Sequence, residues 1–353
     1  MAVSSPLQFP FRDPPAPGAL TEVARGVHWL RMPLPFALDH INLWLLEDGE
    51  GWTVVDCGIG NDATRALWNE IFSNNHLKVN RVVATHCHPD HAGNADWITS
   101  RFQAPLWMAQ AEFLTAHAMR DGAAGYAVEA MLALYRRHGL DESRHALMAT
   151  RGNSYRRLVP ELPTSYHRLM PGARIEIGGR QWRTIVGYGH APEHLSLYCE
   201  ELGLLISGDM LLPKISTNVS VWPVDPEGDP LRLFLDSIRG YLELPAGTLV
   251  LPSHGMPFRG AHERVAQLEA HHAARFAELE QACGDEARSA NDLVAMLFRR
   301  ELDAHQLFFA LGEAIAHLNY LQHEGRVRRE TGADGVIRFA AATKGAWRTA
   351  ATA

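Results

Sequence analysis

Between Thr85 and Gly93 the chain reads T-H-C-H-P-D-H-A-G, which places His86, His88, Asp90 and His91 within six residues. An ordinary core or loop has no use for three imidazoles and a carboxylate packed so closely. Once buried, each group would need a partner or a water, and neighbouring imidazoles would resist joint protonation. A metal ion removes both problems, because neutral imidazole nitrogens and a carboxylate oxygen are good ligands for divalent zinc, iron or manganese. The spacing also suggests two ions. From an extended loop, His86 and His88 can point one way and Asp90 and His91 another. A histidine-rich surface loop is the bland alternative, and the flanking segments weigh against it.

Upstream, Trp52 to Gly58 reads W-T-V-V-D-C-G, an apolar run that ends at Asp56 and then glycine. A second run, R-V-V-A-T at 81–85, delivers the histidine cluster. With a helix-like segment between them, Asp62 to Phe72, the runs predict a βαβ unit. Such units place polar residues at the C-terminal ends of strands, where sites form. Three more polar residues end apolar runs downstream: His190 in V-G-Y-G-H-A-P-E-H, Asp209 in L-L-I-S-G-D-M and His254 in L-V-L-P-S-H-G.

In this pattern the chain resembles the metallo-β-lactamase superfamily over about residues 20 to 260. The family pattern is an Asp, then H-x-H-x-D-H, then a His, an Asp and a His. Here these are Asp56, His86/His88/Asp90/His91, His190, Asp209 and His254, in that order. The resemblance implies an α+β fold, the αββα sandwich of two face-to-face sheets with helices outside. It implies one metal on His86, His88 and His190, a second on Asp90, His91 and His254, and Asp209 bridging both. Two divalent ions follow as the expected cofactor, with zinc first and iron or manganese suiting the same ligands. Catalytic roles are implied for Asp90 and Asp56. Asp90 would act as a ligand, and Asp56 would accept a hydrogen bond from a ligand or a metal-bound water. Two ions about 3.5 Å apart can share a water and lower its pKa from about 15.7 towards about 7, which makes it the nucleophile.

Other candidates carry less signal. Cys87 lies between two ligands at a position the family pattern leaves free, and a structural thiol pointing away is the reading preferred for it. His194 suits either substrate binding and ligand support or an exposed loop. His40 precedes a strand and does not stand out, and His271 and His272 are given no metal role.

Composition fits a soluble enzyme. A chain of 353 residues can hold one large domain and a small one. A formal charge of −7 gives no general attraction to nucleic acid or anionic membrane. The four cysteines are scattered without a C-x-x-C, so no disulfide framework is expected. The first residues do not read as a signal peptide, and no apolar stretch reaches the roughly 18 residues of a membrane span. A cytoplasmic location is the default expectation. Residues 1–19 read as an extended, proline-rich arm, with a partner-binding motif as the lesser alternative.

Two features lie outside the ligand pattern. Much of the segment from about 110 to 150 reads as a helical insertion, with Val128, Met131, Leu132 and Tyr135 on one helical face and Gly122, Gly125 and Gly139 as punctuation. It either packs plainly against the sandwich or caps the site, with Met119, Met131 and Tyr135 shaping a hydrophobic pocket. The second is the tail from 261 to 353. It reads as a long helix at Glu263–Cys283, an S-A-N-D helix start at Ser289 leading to about Arg300, a helix from about Ala304 to His323, and a hairpin. This resembles the winged-helix module of β-lactamase-like endoribonucleases.

A winged helix raises the question of nucleic acid. The wing carries Arg326, Arg328, Arg329 and Arg338 against Glu330 and Asp334, a local excess of only about +2. The second tail helix is mostly apolar and lacks the residues expected for base reading. A structural role, a contribution to the substrate pocket or packing on a second copy of the chain therefore ranks ahead of nucleic acid as the use of the tail. Asp209 resembles the bridging carboxylate of the glyoxalase II, lactonase and phosphodiesterase branches. The expected function is hydrolysis of a small, hydrophobic thioester, ester or lactone, with a nucleic-acid phosphodiesterase as the alternative.

Overall fold

The two apolar runs that flank the histidine cluster lie side by side as parallel strands, with Val54 opposite Val82 and Val55 opposite Val83. The helix between them starts at Asn61, whose side chain accepts the Thr64 N–H. It buries Thr64, Trp68, Ile71 and Phe72, which share one helical face. These elements belong to a computed structural model that describes residues 6–298 and 301–342.

In chain order the first sheet contains β1 (Leu20–Ala24), β2 (Val27–Pro33), β3 (His40–Asp48), β4 (Gly51–Val55), β5 (Val79–Val83), β6 (Leu106–Met108) and β7 (His167–Arg168), in sequential spatial order. The helices among them are α1 (Asp62–Asn74), α2 (Pro89–Ala92), α3 (Ala95–Phe102), α4 (Gln110–Asp121), α5 (Val128–Arg137), α6 (Glu142–Ala149) and α7 (Ser154–Leu158). The second sheet contains β8 (Arg174–Ile177), β9 (Arg180–Gly187), β10 (His194–Cys199), β11 (Leu204–Gly208), β12 (Leu249–Pro252) and β13 (Phe258–Arg259), again in sequential order across the sheet. The remaining elements are α8 (Pro230–Arg239), α9 (Ala261–Asp285), α10 (Ala290–Leu297), α11 (Ala304–His323) and a hairpin of β14 (Val327–Thr331) and β15 (Ile337–Ala341).

The chain divides into two compact units. The first comprises 1–121, 153–217 and 236–267, and the second 122–152, 218–235 and the chain from 268 onward. Alternation along the strands of the first unit produces two apolar layers. Trp29, Trp44, Val55 and Val83 of one sheet meet Trp182, Leu197, Ile206 and Leu251 of the other. On the opposite face of the first sheet, Leu43, Val54 and Val82 pack with Trp68 and Phe72 of α1, Ile98 of α3 and Phe113 of α4. Gln8 of the N-terminal arm pairs with Arg259 on β13, its N–H donating to the Arg259 carbonyl at 3.1 Å.

The second unit gathers segments that read as separate regions in the sequence. Residues 122–152, part of the expected insertion, group with the tail. Met131 and Tyr135, two of the three side chains offered for a pocket, are buried, and the Tyr135 hydroxyl donates to the Phe308 carbonyl. The S-A-N-D start forms a full capping box between Ser289 and Asp292. The helix it opens ends at Leu297, and Arg300 lies outside the described residues. Val327, Ile337 and Phe339 bury the inner face of the hairpin.

Three histidines of the second unit are buried in neutral form. His138 stacks on Phe339, and neither of its ring nitrogens has a partner. Burial, then Arg329 and Arg137, lowers its pKa to about 3. Burial also lowers His272 to about 3 and His317 to about 4, and these two share a hydrogen bond. As pH falls below the unfolded value near 6.5, the unfolded chain takes up protons that the folded chain refuses until about 3 to 4. Stability present above that value is therefore lost through this window. His138→Phe keeps the stacking, so it should cost little at pH 7. It should also remove about 2 kcal/mol of the acid destabilisation between pH 7 and 5. Urea midpoints of both proteins at the two pH values test this, and equal losses would refute it.

Candidate metal centre

Every candidate ligand follows the end of a strand. Asp56 follows β4, the histidine run follows β5, His190 follows β9, Asp209 follows β11 and His254 follows β12. Hydrogen bonds between the sheets hold these ends together. Leu195 on β10 donates its N–H to the Thr85 carbonyl at 2.8 Å, and Asn42 on β3 donates its N–H to Ser253 at 2.7 Å. The buried Asn42 amide also donates to the Pro252 and Gly255 carbonyls, at 2.9 and 2.8 Å.

The seven side chains converge in two groups, each of which could hold an ion. One is His86, His88, His190 and Asp209, and the other is Asp90, His91 and His254. In the first, His86 Nε2 lies 2.9 Å from His88 Nδ1 and 3.2 Å from His190 Nε2. In the second, His254 Nε2 lies 3.4 Å from Asp90 Oδ2 and His91 Nε2 lies 3.7 Å from it. Asp209 stands between the groups. Its Oδ2 is 3.4 Å from His190 Nε2, and its Oδ1 is 3.6 Å from His91 Nε2 and 3.5 Å from His254 Nε2.

The outer side of three ligands, His91, His254 and His86, shows which nitrogen faces inward. His91 Nδ1 lies 2.8 Å from Asp56 Oδ2, so Nδ1 carries the proton and Nε2 presents a lone pair. His254 Nδ1 donates to the His40 carbonyl at 2.8 Å, with the same consequence. Thr85 Oγ1 donates to Asp56 and lies 3.1 Å from His86 Nδ1, which orients that ring. With their rings neutral in these tautomers, His86, His91 and His254 aim Nε2 lone pairs into a site that also holds the carboxylates of Asp90 and Asp209. His91 Nε2 and Asp209 Oδ1 are buried with no hydrogen-bond partner. Orphans of this kind in a nitrogen and oxygen donor set are what a divalent cation satisfies, so the residues fit a metal.

The charges agree. Burial lowers His86 strongly and His88 to about 3, with neighbouring imidazoles adding to the effect, so both are neutral as ligands must be. Burial would lower His91 too, but Asp56, Asp90 and Asp209 outweigh it and raise the group to about 9. The carboxylate-rich group calls for a positive charge.

His194 and His40 play parts that their sequence context did not reveal. His194 is buried and not on an exposed loop, and its Nε2 accepts the Asp209 N–H at 3.1 Å. A Cβ on Gly208, at φ +54, would lie 2.3 Å from that nitrogen, so glycine is required there. His40 supplies the carbonyl that orients His254, and its Nε2 accepts the Gly255 N–H at 2.9 Å. Cys87 is buried in the apolar layer under α4, and burial pushes its thiol up.

The family model for the metallo-beta-lactamase superfamily matches residues 37–254, and that for the metallo-beta-lactamase-like C-terminal domain matches residues 276–342. The chain belongs to the metallo-beta-lactamase superfamily. A beta-lactamase domain protein from Burkholderia ambifaria is similar in structure, at TM-score 0.89 and 49% identity, over 95% of this chain and 98% of that one. A metallo-beta-lactamase family protein from Thermus thermophilus aligns at TM-score 0.78 and 30% identity, over 91% of this chain and all of its own. A probable metallo-hydrolase from Bacillus subtilis (strain 168) is 25% identical over 84% of this chain and 92% of its own length. With these relatives and its His/Asp cluster, this superfamily member is a metal-dependent hydrolase.

In this metallo-beta-lactamase centre Asp56 carries the most outer contacts. It accepts from the Thr85 N–H, the Thr85 hydroxyl and His91 Nδ1. It does so from a left-handed backbone at φ 64, a position that costs a non-glycine residue on the order of 1 kcal/mol. Asp56→Asn replaces one acceptor oxygen by a donor and releases the tautomer of His91. We expect metal affinity to fall about 10- to 100-fold. Chelator competition at pH 7.5 measures this, and an affinity within twofold of the parent protein would contradict it.

Proposed function

We propose that the protein is a dinuclear metal-dependent hydrolase of small, hydrophobic thioesters, esters or lactones, close in chemistry to the glyoxalase II and lactonase branches. The observation that carries the two-ion reading is Asp209, whose carboxylate gives one oxygen to each group of ligands. His86, His88 and His190 would hold one ion, Asp90, His91 and His254 the other, and Asp209 both. Zinc is the first candidate, and iron or manganese suits the same donors. Two such ions would polarise a carbonyl oxygen and make a water acidic enough to act near neutral pH. The protein's share is to fix the ligand tautomers through Asp56, Thr85 and His40. His88 and Asp90 are the least buried of the ligands, so substrate reaches the site along their edge.

Two observations favour a small substrate over RNA or DNA. Each arginine of the hairpin region is paired: Arg326 with Glu280, Arg328 with Glu330, Arg329 with Glu227 and Arg338 with Asp334. Paired cations have little left to offer a phosphate backbone. Eleven of the twenty residues of α11 are buried, which leaves no long face for reading bases. No helix among the described residues is long and apolar enough to cross a membrane. All four cysteines are free thiols, which suits a reducing, cytoplasmic setting.

Elemental analysis after reconstitution should give two ions per chain. Asp209→Ala should abolish turnover, whereas Cys87→Ala should keep most of it, since that thiol faces the core. Activity should rise along an acyl-chain series of thioesters and lactones, by up to ~0.8 kcal/mol of transition-state stabilisation per buried CH₂. A flat series, together with salt-sensitive cleavage of single-stranded RNA, would overturn the small-substrate reading and favour a nuclease.

A further inference from the structure

Glu112, in the first turn of α4, has no exposed surface, yet it is a carboxylate. Its Oε2 accepts the Cys87 N–H at 2.8 Å, and its Oε1 accepts the Glu193 N–H at 2.6 Å. The Cys87 thiol also hydrogen-bonds to it. The contact is reciprocal, because Glu193 Oε2 accepts the Ala111 N–H at 2.9 Å and so closes the start of α4. Cys87 lies between His86 and His88, and Glu193 lies three residues after His190.

We infer that Glu112 is a positioning residue: its two carboxylate oxygens tie the loop bearing His86 and His88 to the loop bearing His190, and so set the geometry of the three-histidine half of the centre. Burying a carboxylate is costly, and among the described residues Glu112 has no ion-pair partner to offset it. A residue that merely filled the space could be apolar. A residue that bonded one loop could be glutamine. Only a carboxylate offers an acceptor to both backbone N–H groups, since an amide would point its NH₂ at one of them. Burial raises the pKa of Glu112, and two backbone donors with a thiol counter this by favouring the charged form. The inference rests on reading the two ligand groups as ion sites.

The test uses the full-length protein and the variants Glu112→Gln, Glu112→Asp and Glu193→Ala. Each is loaded with zinc, dialysed against graded chelator and analysed for retained metal, with urea unfolding of the metal-free forms in parallel. Wild type should keep two ions. E112Q and E112D, the latter too short to span both loops, should release one ion at a roughly 10- to 100-fold lower chelator activity and keep the second as wild type does. E193A removes the α4 cap but leaves both Glu112 bonds, which go to backbone. It should lose stability while retaining metal like wild type. His190→Ala already weakens the same half, so adding E112Q to it should change retention little. E112Q and E112D that fold and hold both ions like wild type would overturn the inference. Failure of both to unfold cooperatively would also overturn it, by making Glu112 a folding residue. Wild type retaining one ion would refute the two-ion reading, and Glu112 would then stand or fall on whether E112Q releases that ion more readily.

Discussion

The Asp209 carboxylate reaches imidazole nitrogens of both ligand groups within 3.4 to 3.6 Å. With neutral His91 and His254 rings, their inward nitrogens present lone pairs, so acceptors face the Asp209 carboxylate. Such an arrangement is stable only with positive charge among them, either as protons on His91 and His254 or as metal ions. Much of the surrounding structure keeps Asp209 in place. Gly208 bends the chain, His194 takes the Asp209 N–H, and the Thr217 hydroxyl donates to the Asp209 carbonyl. Arg264, a buried guanidinium, donates to the Leu212 and Ile215 carbonyls and ties down the loop between Asp209 and Thr217.

The two units divide the tasks. In the first, two sheets bring strand ends together and supply every candidate ligand. The second contains none of them among its described residues, and burial keeps three of its histidines, His138, His272 and His317, neutral. Among its described residues, Arg326, Arg329 and Arg338 are each matched by a carboxylate. Those paired guanidiniums and the buried face of α11 are features of a packed module.

The parts of this structure that were legible in the sequence are those governed by local rules. His86, His88, Asp90 and His91 of the run at 85–93, with His190, Asp209 and His254, fall in the two ligand groups, and Asp56 stands behind them on His91, because strand ends and loop spacing are local properties. The Ser289 capping box and the helix from Ala304 to His323 are local as well. The outer contacts were not legible. His40 acts through its backbone carbonyl, which carries no residue signature. Glu112 bonds to backbone N–H groups 25 residues before it and 81 after, and it reads as one more acid in an amphipathic helix. The grouping of residues 122–152 with the tail depends on contacts made across more than a hundred positions, which periodicity cannot report.

Several costs of this fold lie where its chemistry does. Asp56 is held at φ 64, Glu112 and Asp209 are buried carboxylates, and His91 Nε2 has no partner. Each would destabilise an ordinary core by about 1 to 3 kcal/mol. Around them the outer atoms of the ligand rings are held by the protein and not by an ion: His91 by Asp56, His86 by Thr85, His254 by the His40 carbonyl. Such anchoring fixes the inward lone pairs before any ion arrives, so little ordering remains to be done on binding. The apolar layers between and outside the sheets supply the stability against which this strain is set. Trp29, Trp44, Trp68 and Trp182 are the largest fully buried side chains of those layers.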